Sequence, residues 1–233
     1  MEKHPYKTIT GFGIQLNMSE EEISTKGFKN GGIWFHNTKS IVCGTFPPKK
    51  EYLNRKGYIH YSSPKNKFWS HIDAIYDTSL YINKVQAAIA ETRIDNALKK
   101  ISFLTKMNVG FVDVFSAISR KDSDSSKDDD IIEPFETIFD IGVFQDILNS
   151  DIKNIIFVYS RSYDEFINGI HQHYPGNGIT QVREYGKNQI TLRVENITID
   201  GKQLNLSYSP IHGRIKDVFR RPALKKALEM DFT

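Results

Sequence analysis

The sequence predicts a three-layer α/β/α domain built on a central, mostly parallel β-sheet. Two observations predict this fold class. Short apolar runs with the composition of buried strands recur along the chain, and segments with helical periodicity separate them. Strands that alternate with helices favour a parallel sheet whose two faces are both covered.

The strands are predicted from apolar runs that end at glycine, proline or polar residues. The run Ile41-Val42-Cys43 stops at Gly44 and two prolines follow, which is typical of a buried strand that leads into a loop. A hairpin is predicted around the turn Asp200-Gly201. The predicted strands cover residues 33–36 at the sheet edge, 41–43, 109–114, 154–159, 190–199 and 203–208.

The helices are predicted from apolar side chains spaced three or four residues apart. The clearest stripe begins near Pro64, which suits a first helical turn, and continues to Tyr76. Ser160 is expected to cap the helix after the strand at 154–159. The predicted helices cover residues 64–76, 83–103, 133–149, a segment from 160 onward, and 215–230.

The bulk composition is that of an ordinary globular protein. The 233 residues fit a single domain over 1–233, with a core at about 31–230 and an N-terminal extension over 1–30. Cys43 is the one cysteine and the histidines are scattered, so we expect no disulfide, no metal and no cofactor. No run has the character of a signal peptide or a membrane span, which predicts a cytoplasmic protein without a membrane partner. We also expect a monomer.

The charge is modest in total but unevenly placed. The net charge is +3, with basic residues concentrated at 47–67 and 214–226 and acidic residues at 122–136. Basic clusters of this kind are typical of proteins that bind nucleic acid, although a solvated surface gives the same pattern.

Three loops follow predicted strands and carry unusual residues, at 44–48, 113–120 and 209–214. Ligands of open α/β sheets bind beyond the carboxyl ends of the strands. We therefore expect these loops to converge on one crevice.

Two of the motifs lie early in the chain. The first is Gly44-Thr45-Phe46-Pro47, and the second is the stretch from Tyr61 to Trp69, which reads Tyr-Ser-Ser-Pro-Lys-Asn-Lys-Phe-Trp. Together they resemble the uracil-DNA glycosylase superfamily, most closely its mismatch-specific and hypoxanthine-acting branches. Those families have a Gly-x-x-Pro loop and an aromatic-x-His-Pro-x-Asn-x-Phe-Trp stretch. Ser63 stands where the family has histidine.

Two later motifs extend the resemblance over about 41–214. The strand Gly110-Phe111-Val112-Asp113-Val114 resembles the family's Gly-x-x-Trp-Asp-Val, with Val112 in place of tryptophan, and Arg120 stands where an arginine is expected. The loop Ser209-Pro210-Ile211-His212 resembles the family's late Ser-Pro-x-His loop.

The resemblance implies a DNA glycosylase that flips a deaminated base, uracil or hypoxanthine, out of DNA and hydrolyses its glycosidic bond. The 44–48 loop lacks the carboxylate or asparagine found in many members, so the resemblance assigns catalysis to Asn66. Tyr61 or Phe46 would stack on the base. The implied base-binding residues are Gly44, Thr45, Phe46, Tyr61 and Asp113. The implied DNA contacts are Pro47, Lys65, Ser209, Pro210, His212 and Arg214.

Other interpretations of the same residues stay open. Asn66 could satisfy the backbone near a helix start, and Asp113 could pair with Arg120 for structure alone. A nucleic-acid-binding protein of the same fold without cleavage activity is the alternative function. An α/β hydrolase is disfavoured because the chain has no Gly-x-Ser-x-Gly motif.

Overall fold

The computed structural model describes residues 2–4, 16, 18–19, 21–22, 29, 31–46, 56–119, 137–186, 191–211 and 216–230. These residues form a mixed α/β structure with one seven-stranded sheet. Its strand order is β2-β4-β3-β7-β10-β9-β8. The strands are β2 (Gly32–Ile33), β3 (Ser40–Gly44), β4 (Val109–Asp113), β7 (Asn154–Phe157), β8 (Ile179–Tyr185), β9 (Leu192–Ile199) and β10 (Lys202–Tyr208).

The four central strands are parallel, as the apolar runs predict. β3 pairs in parallel with β4 on one side and with β7 on the other, and β10 continues the parallel set beyond β7. The flanking strands β2, β9 and β8 pair antiparallel, so the sheet as a whole is mixed. The predicted hairpin at Asp200-Gly201 is confirmed as the β9–β10 turn, with Ile199 opposite Lys202.

A second, three-stranded sheet was not predicted. It consists of β1 (Glu2–Lys3), β5 (Phe115–Ile118) and β6 (Thr137–Phe139), in the order β1-β5-β6. Glu2 lies opposite Ile118, and the backbone N–H of His4 donates to the carbonyl of Ser116 at 2.8 Å. The start of the chain is therefore fixed beside the end of β4.

Five α-helices lie in the described residues. They are α1 (Phe68–Tyr76), α2 (Ala90–Met107), α3 (Ile141–Leu148), α4 (Ser160–His173) and α5 (Asp217–Leu228), and a short 3-10 helix spans Gln86–Ala88.

Four predictions about helix starts are wrong. The helix expected from Pro64 begins at Phe68, because Pro64 and Lys65 form a turn before it. The 133–149 helix begins only at Ile141, because Asp140 caps it by accepting from the N–H of Val143 and the preceding residues are extended as β6. The 83–103 helix begins at Ala90, since Ile89 is extended. Ser160 is the first helical residue of α4 and not its cap. The capping position is Tyr159, without a side-chain hydrogen bond.

Helices cover both faces of the large sheet, because successive strand side chains point to opposite sides. Val42 joins a core cluster with residues of α1, α2 and α5. Its neighbours Ile41 and Cys43 join a second cluster with residues of α3 and α4. The predicted three-layer arrangement follows from these two cores. Within the described ranges, no helix has the length and apolar character needed to cross a bilayer.

The strand order also fixes where a crevice opens. From β3 the chain moves to β4 on one side, and then returns past β3 to β7 on the other. Loops that leave the carboxyl ends of such strands diverge, and the crevice between them is the usual ligand site of an open α/β sheet. The carboxyl end of β3 is Gly44.

Candidate functional site

The ends of β3 and β4 meet, as the spacing of the loops predicts. Gly44 lies directly opposite Asp113, and the N–H groups of Val114 and Phe115 donate to the carbonyls of Gly44 and Thr45 at 2.9 and 3.3 Å. A Cβ at position 44 would lie 2.1 Å from Oδ1 of Asp113. Glycine is therefore required at this strand end for the carboxylate to reach its place.

Asp113 is held by two histidines. Nε2 of His4 and Nε2 of His60 lie 2.9 and 3.0 Å from the same carboxylate atom, Oδ2, and all three side chains are buried. Burial by itself raises the pKa of Asp113, but the charge of His60 and the hydrogen bonds from both imidazoles outweigh it and hold that pKa below its usual range. The carboxylate is therefore ionised at neutral pH and acts only as an acceptor.

The same three side chains are a possible set of metal ligands. Their ligand atoms all lie within 4.8 Å of one another, and two imidazoles with a carboxylate suit a divalent transition metal. Nε2 of His4 is hydrogen-bonded to Oδ2, and Nε2 of His60 lies 3.0 Å from the same atom, so the three side chains already contact one another directly. Arg120, the alternative partner of Asp113 expected from the sequence, lies outside the described residues.

Tyr61 stands beside this carboxylate in an aromatic group. Its ring centre lies 5.0 Å from that of Phe68 and 5.9 Å from that of Tyr159, with interplanar angles of 30° and 27°. Its backbone is left-handed, with φ of 59°. The residue is half-buried, and its hydroxyl oxygen is buried. Phe46, the other expected stacking residue, is buried with its ring edge-on to His4.

Asn66 reaches the same aromatic group. Its Nδ2 donates to the hydroxyl oxygen of Tyr159 at 2.7 Å, and its Oδ1 accepts from the N–H of Phe68 at 2.8 Å. The side chain thus accepts a hydrogen bond from a backbone N–H at the start of α1. This is the structural role that the sequence analysis gave as an alternative for Asn66. An amide carries a second N–H and a second lone pair, so Asn66 keeps one donor and one acceptor site for a ligand.

The residues expected to contact DNA are less closely grouped. Lys65 is exposed beside Asn66. Ser209 is fully buried, and its N–H donates to the carbonyl of Phe157. Pro210 next to it is half-buried. Pro47, His212 and Arg214 lie outside the described residues.

The basic cluster near the C-terminus is partly neutralised. Nη1 of Arg220 lies 3.2 Å from Oδ1 of Asp217, and Nη2 of Arg221 lies 3.5 Å from its Oδ2. Arg220 is also buried. This part of α5 is therefore less basic as a surface than the sequence suggests.

A polar cavity of about 550 Å³ lies at the other end of the sheet, near the amino ends of β7 and β10. Lys153, Arg183 and Lys202 line it, and no predicted site residue does. We place the candidate site at the carboxyl ends instead, because the ionised carboxylate, the amide and the half-buried Tyr61 ring meet there.

Sequence reasoning missed three residues of the site: His4, His60 and Tyr159. His60 and Tyr159 adjoin expected features, since one precedes Tyr61 and the other ends a predicted strand. His4 gave no local signal, because it lies 109 residues from Asp113 in a segment without periodicity.

The site combines a fixed acceptor, a half-buried aromatic ring and an amide. Such a group can hold a planar heterocycle, stacked on the ring and read at its edge by hydrogen bonds. No protein-family model matches the chain, and no curated protein matches it.

Proposed function

We propose that the protein is a monofunctional DNA glycosylase that removes a deaminated base, uracil or hypoxanthine, from DNA. The observation that carries the proposal is the meeting of Gly44, Asp113, Tyr61 and Asn66 at the carboxyl ends of the central strands. The resemblance of these motifs to the uracil-DNA glycosylase superfamily supports the proposal. The proposal includes a fold like that of this superfamily, DNA as the partner, and a monomer located in the cytoplasm.

The charge state of Asp113 supports a deaminated base as the substrate. Both histidines meet Oδ2, while Oδ1 points toward Gly44, which has no side chain. An ionised carboxylate accepts a hydrogen bond but cannot donate one. Uracil and hypoxanthine present a ring N–H at the edge where cytosine and adenine present a lone pair, so Oδ1 would favour the deaminated bases.

Tyr61 and Asn66 would supply the remaining interactions. A base flipped out of the duplex would stack on Tyr61, a contact worth about 1–3 kcal/mol. In the reaction the bond between the base nitrogen and the sugar C1′ breaks, the oxygen of a water molecule bonds to C1′, and the proton that this water loses ends on the departing base. The remaining N–H and lone pair of Asn66 would orient that water or donate to the departing base.

A nucleic-acid-binding protein without cleavage activity is the second candidate. Two observations favour it: both polar atoms of Asn66 already make structural hydrogen bonds, and the 44–48 loop carries no carboxylate. On this alternative the site would recognise an extruded base without hydrolysing its bond.

One assay separates the two candidates. The protein is incubated with duplex and single-stranded oligonucleotides that carry uracil, hypoxanthine, xanthine or a mismatch, and abasic sites are then cleaved with alkali. We expect strand breakage with uracil or hypoxanthine and none with cytosine or adenine. Tight binding to a deaminated base without breakage would support the second candidate, and neither binding nor breakage would refute both.

A further inference from the structure

A buried lysine lies under the loop that carries the site. Lys100 of α2 is 1% exposed, and its Nζ donates to Oγ of Ser62 at 3.1 Å. The same Nζ lies 4.9 Å from the centre of the Trp69 ring. Lys100 thus contacts the second of the two early motifs, at Ser62 and Trp69.

The loop segment that it contacts is a four-residue turn, Ile59 to Ser62. The N–H of Ser62 donates to the carbonyl of Ile59 at 3.0 Å, and the N–H of Ile59 lies 3.4 Å from Oγ of Ser62. The two central residues are His60 and Tyr61. Because Tyr61 is left-handed and is not glycine, the turn is strained and needs external contacts to keep its shape.

Two such contacts come from helices. Nε1 of Trp69 donates to the carbonyl of His60 at 3.0 Å, and Lys100 holds Ser62 at the end of the turn. The shape of this turn places the His60 imidazole beside Asp113 and the Tyr61 ring beside Tyr159. A displacement of Ser62 would therefore move both a partner of the carboxylate and the stacking face.

Lys100 also carries a cost that an apolar side chain would avoid. Burial lowers its pKa to about 7, although the charge of Asp73 opposes this. The oxygens of Asp73 already accept hydrogen bonds from Thr78, Leu80 and Tyr81. An unbranched apolar side chain such as methionine would fill similar space without the cost of burying an ammonium group. The hydrogen bond to Ser62 is therefore the contact that requires a lysine here.

We propose that Lys100 is a positioning residue that holds the 59–62 turn through Ser62, so that His60 and Tyr61 keep their places in the site. The positioning of the turn stands on geometry alone. Its effect on cleavage rests on the proposed glycosylase function.

The test compares Lys100→Met with Lys99→Met, its exposed neighbour on the same helix, which pairs with Asp95. The first measurement is amide hydrogen exchange at Ser62, whose N–H closes the turn. The second is the single-turnover rate of base release. Lys100→Met is expected to speed exchange at Ser62 by about tenfold or more, the scale of one lost hydrogen bond to a charged group, and to slow base release by a similar factor. Lys99→Met should change neither.

Ser62→Ala removes the other partner of the same bond and carries the test if Lys100→Met does not fold. Ser62→Ala also removes the acceptor of the Ile59 N–H, so its own effect should be the larger. Adding Lys100→Met to Ser62→Ala should slow base release less than it does in the wild-type background, because the contact between Lys100 and Ser62 is already absent. Wild-type exchange at Ser62 in Lys100→Met, or in Ser62→Ala, would overturn the proposal. If the wild-type protein releases no base from any substrate, the proposed function fails, but the exchange measurement still decides whether Lys100 holds the turn.

Discussion

Asp113 shows how single residues define this site. The side chain is buried and ionised, two imidazoles meet one of its oxygens, and the glycine opposite leaves room for the other. Each of these conditions depends on a different part of the chain. The chemistry of the site is therefore sensitive to changes that preserve shape but alter which atoms donate and which accept.

Asp113→Asn is such a change. His4 and His60 would bind the amide oxygen, so the amide N–H₂ would face the cleft and oppose the ring N–H of a deaminated base. We expect the single-turnover release of uracil or hypoxanthine to fall about 100-fold or more, the scale of losing a key polar contact. Asp151→Asn, on an exposed carboxylate that pairs with Lys39, is the control and should leave release unchanged. Near-wild-type release by Asp113→Asn would show that this carboxylate does not read the base.

Asn66→Ala tests the proposed catalytic role of Asn66. Base release should fall about 100-fold or more, and stability should fall by about 1 kcal/mol because the N–H of Phe68 loses its acceptor. Tyr159→Phe removes only the hydroxyl that Asn66 binds. If Asn66 acts on the substrate, Tyr159→Phe should retain much more activity than Asn66→Ala in single-turnover kinetics. Equal losses in both variants would instead assign Asn66 to holding Tyr159.

The elements of the fold set the close approaches on which the site depends. β3 and β4 end side by side, and the carboxylate on β4 occupies the space where a side chain on the last residue of β3 would lie. The parallel pair of β3 and β4 therefore forms one wall of the cleft, and it fixes the distance between the loops that follow these two strands.

Gly44→Ala should collapse this arrangement. Its Cβ would meet Asp113 at 2.1 Å, so either the strand end or the carboxylate must move, and we expect a loss of stability of about 1–3 kcal/mol together with loss of base release. Gly142→Ala is a matched control in α3, where the nearest atom to the new Cβ is 3.7 Å away. That variant should be as stable as wild type or more stable, since alanine favours a helix. Thermal unfolding of the two variants, side by side, checks both expectations.

Some parts of the molecule could be predicted from the sequence and others could not. The central strands were predictable because each is a short apolar run, and the meeting of Gly44 with Asp113 followed from the rule that parallel strand ends share one edge. The contact of His4 with Asp113 was not predictable, because it depends on a pairing of β1 with β5 over more than 100 residues of chain. β8 was missed because it is an edge strand with both faces exposed, so it shows no alternation of apolar and polar residues.

Global stability should respond to the charge of Lys100. Its pKa is about 7 in the folded protein and about 10.4 in an unfolded chain, so between these values the unfolded state binds more protons. The cost of the buried ammonium is therefore full below pH 7 and disappears as the pH rises toward 10, at about 1.4 kcal/mol per pH unit at most. The stability of Lys100→Met relative to wild type should therefore be greater at pH 6 than at pH 10. Urea unfolding across this range measures it, and a difference independent of pH would contradict the expectation.

The single thiol of the chain can be used to measure how often the structure around β3 opens. Cys43 is buried in β3, one residue before Gly44, and burial together with the negative charge of Asp113 raises the pKa of its thiol above the ordinary value. A thiol reagent can react with it only while α3 and α4 are displaced from the sheet or the strands are apart. The labelling rate, divided by that of an unfolded peptide, thus gives the free energy of opening at the strand that carries the site. An oligonucleotide bound in the cleft should slow the labelling, whereas one bound elsewhere without stabilising β3 should leave the rate unchanged.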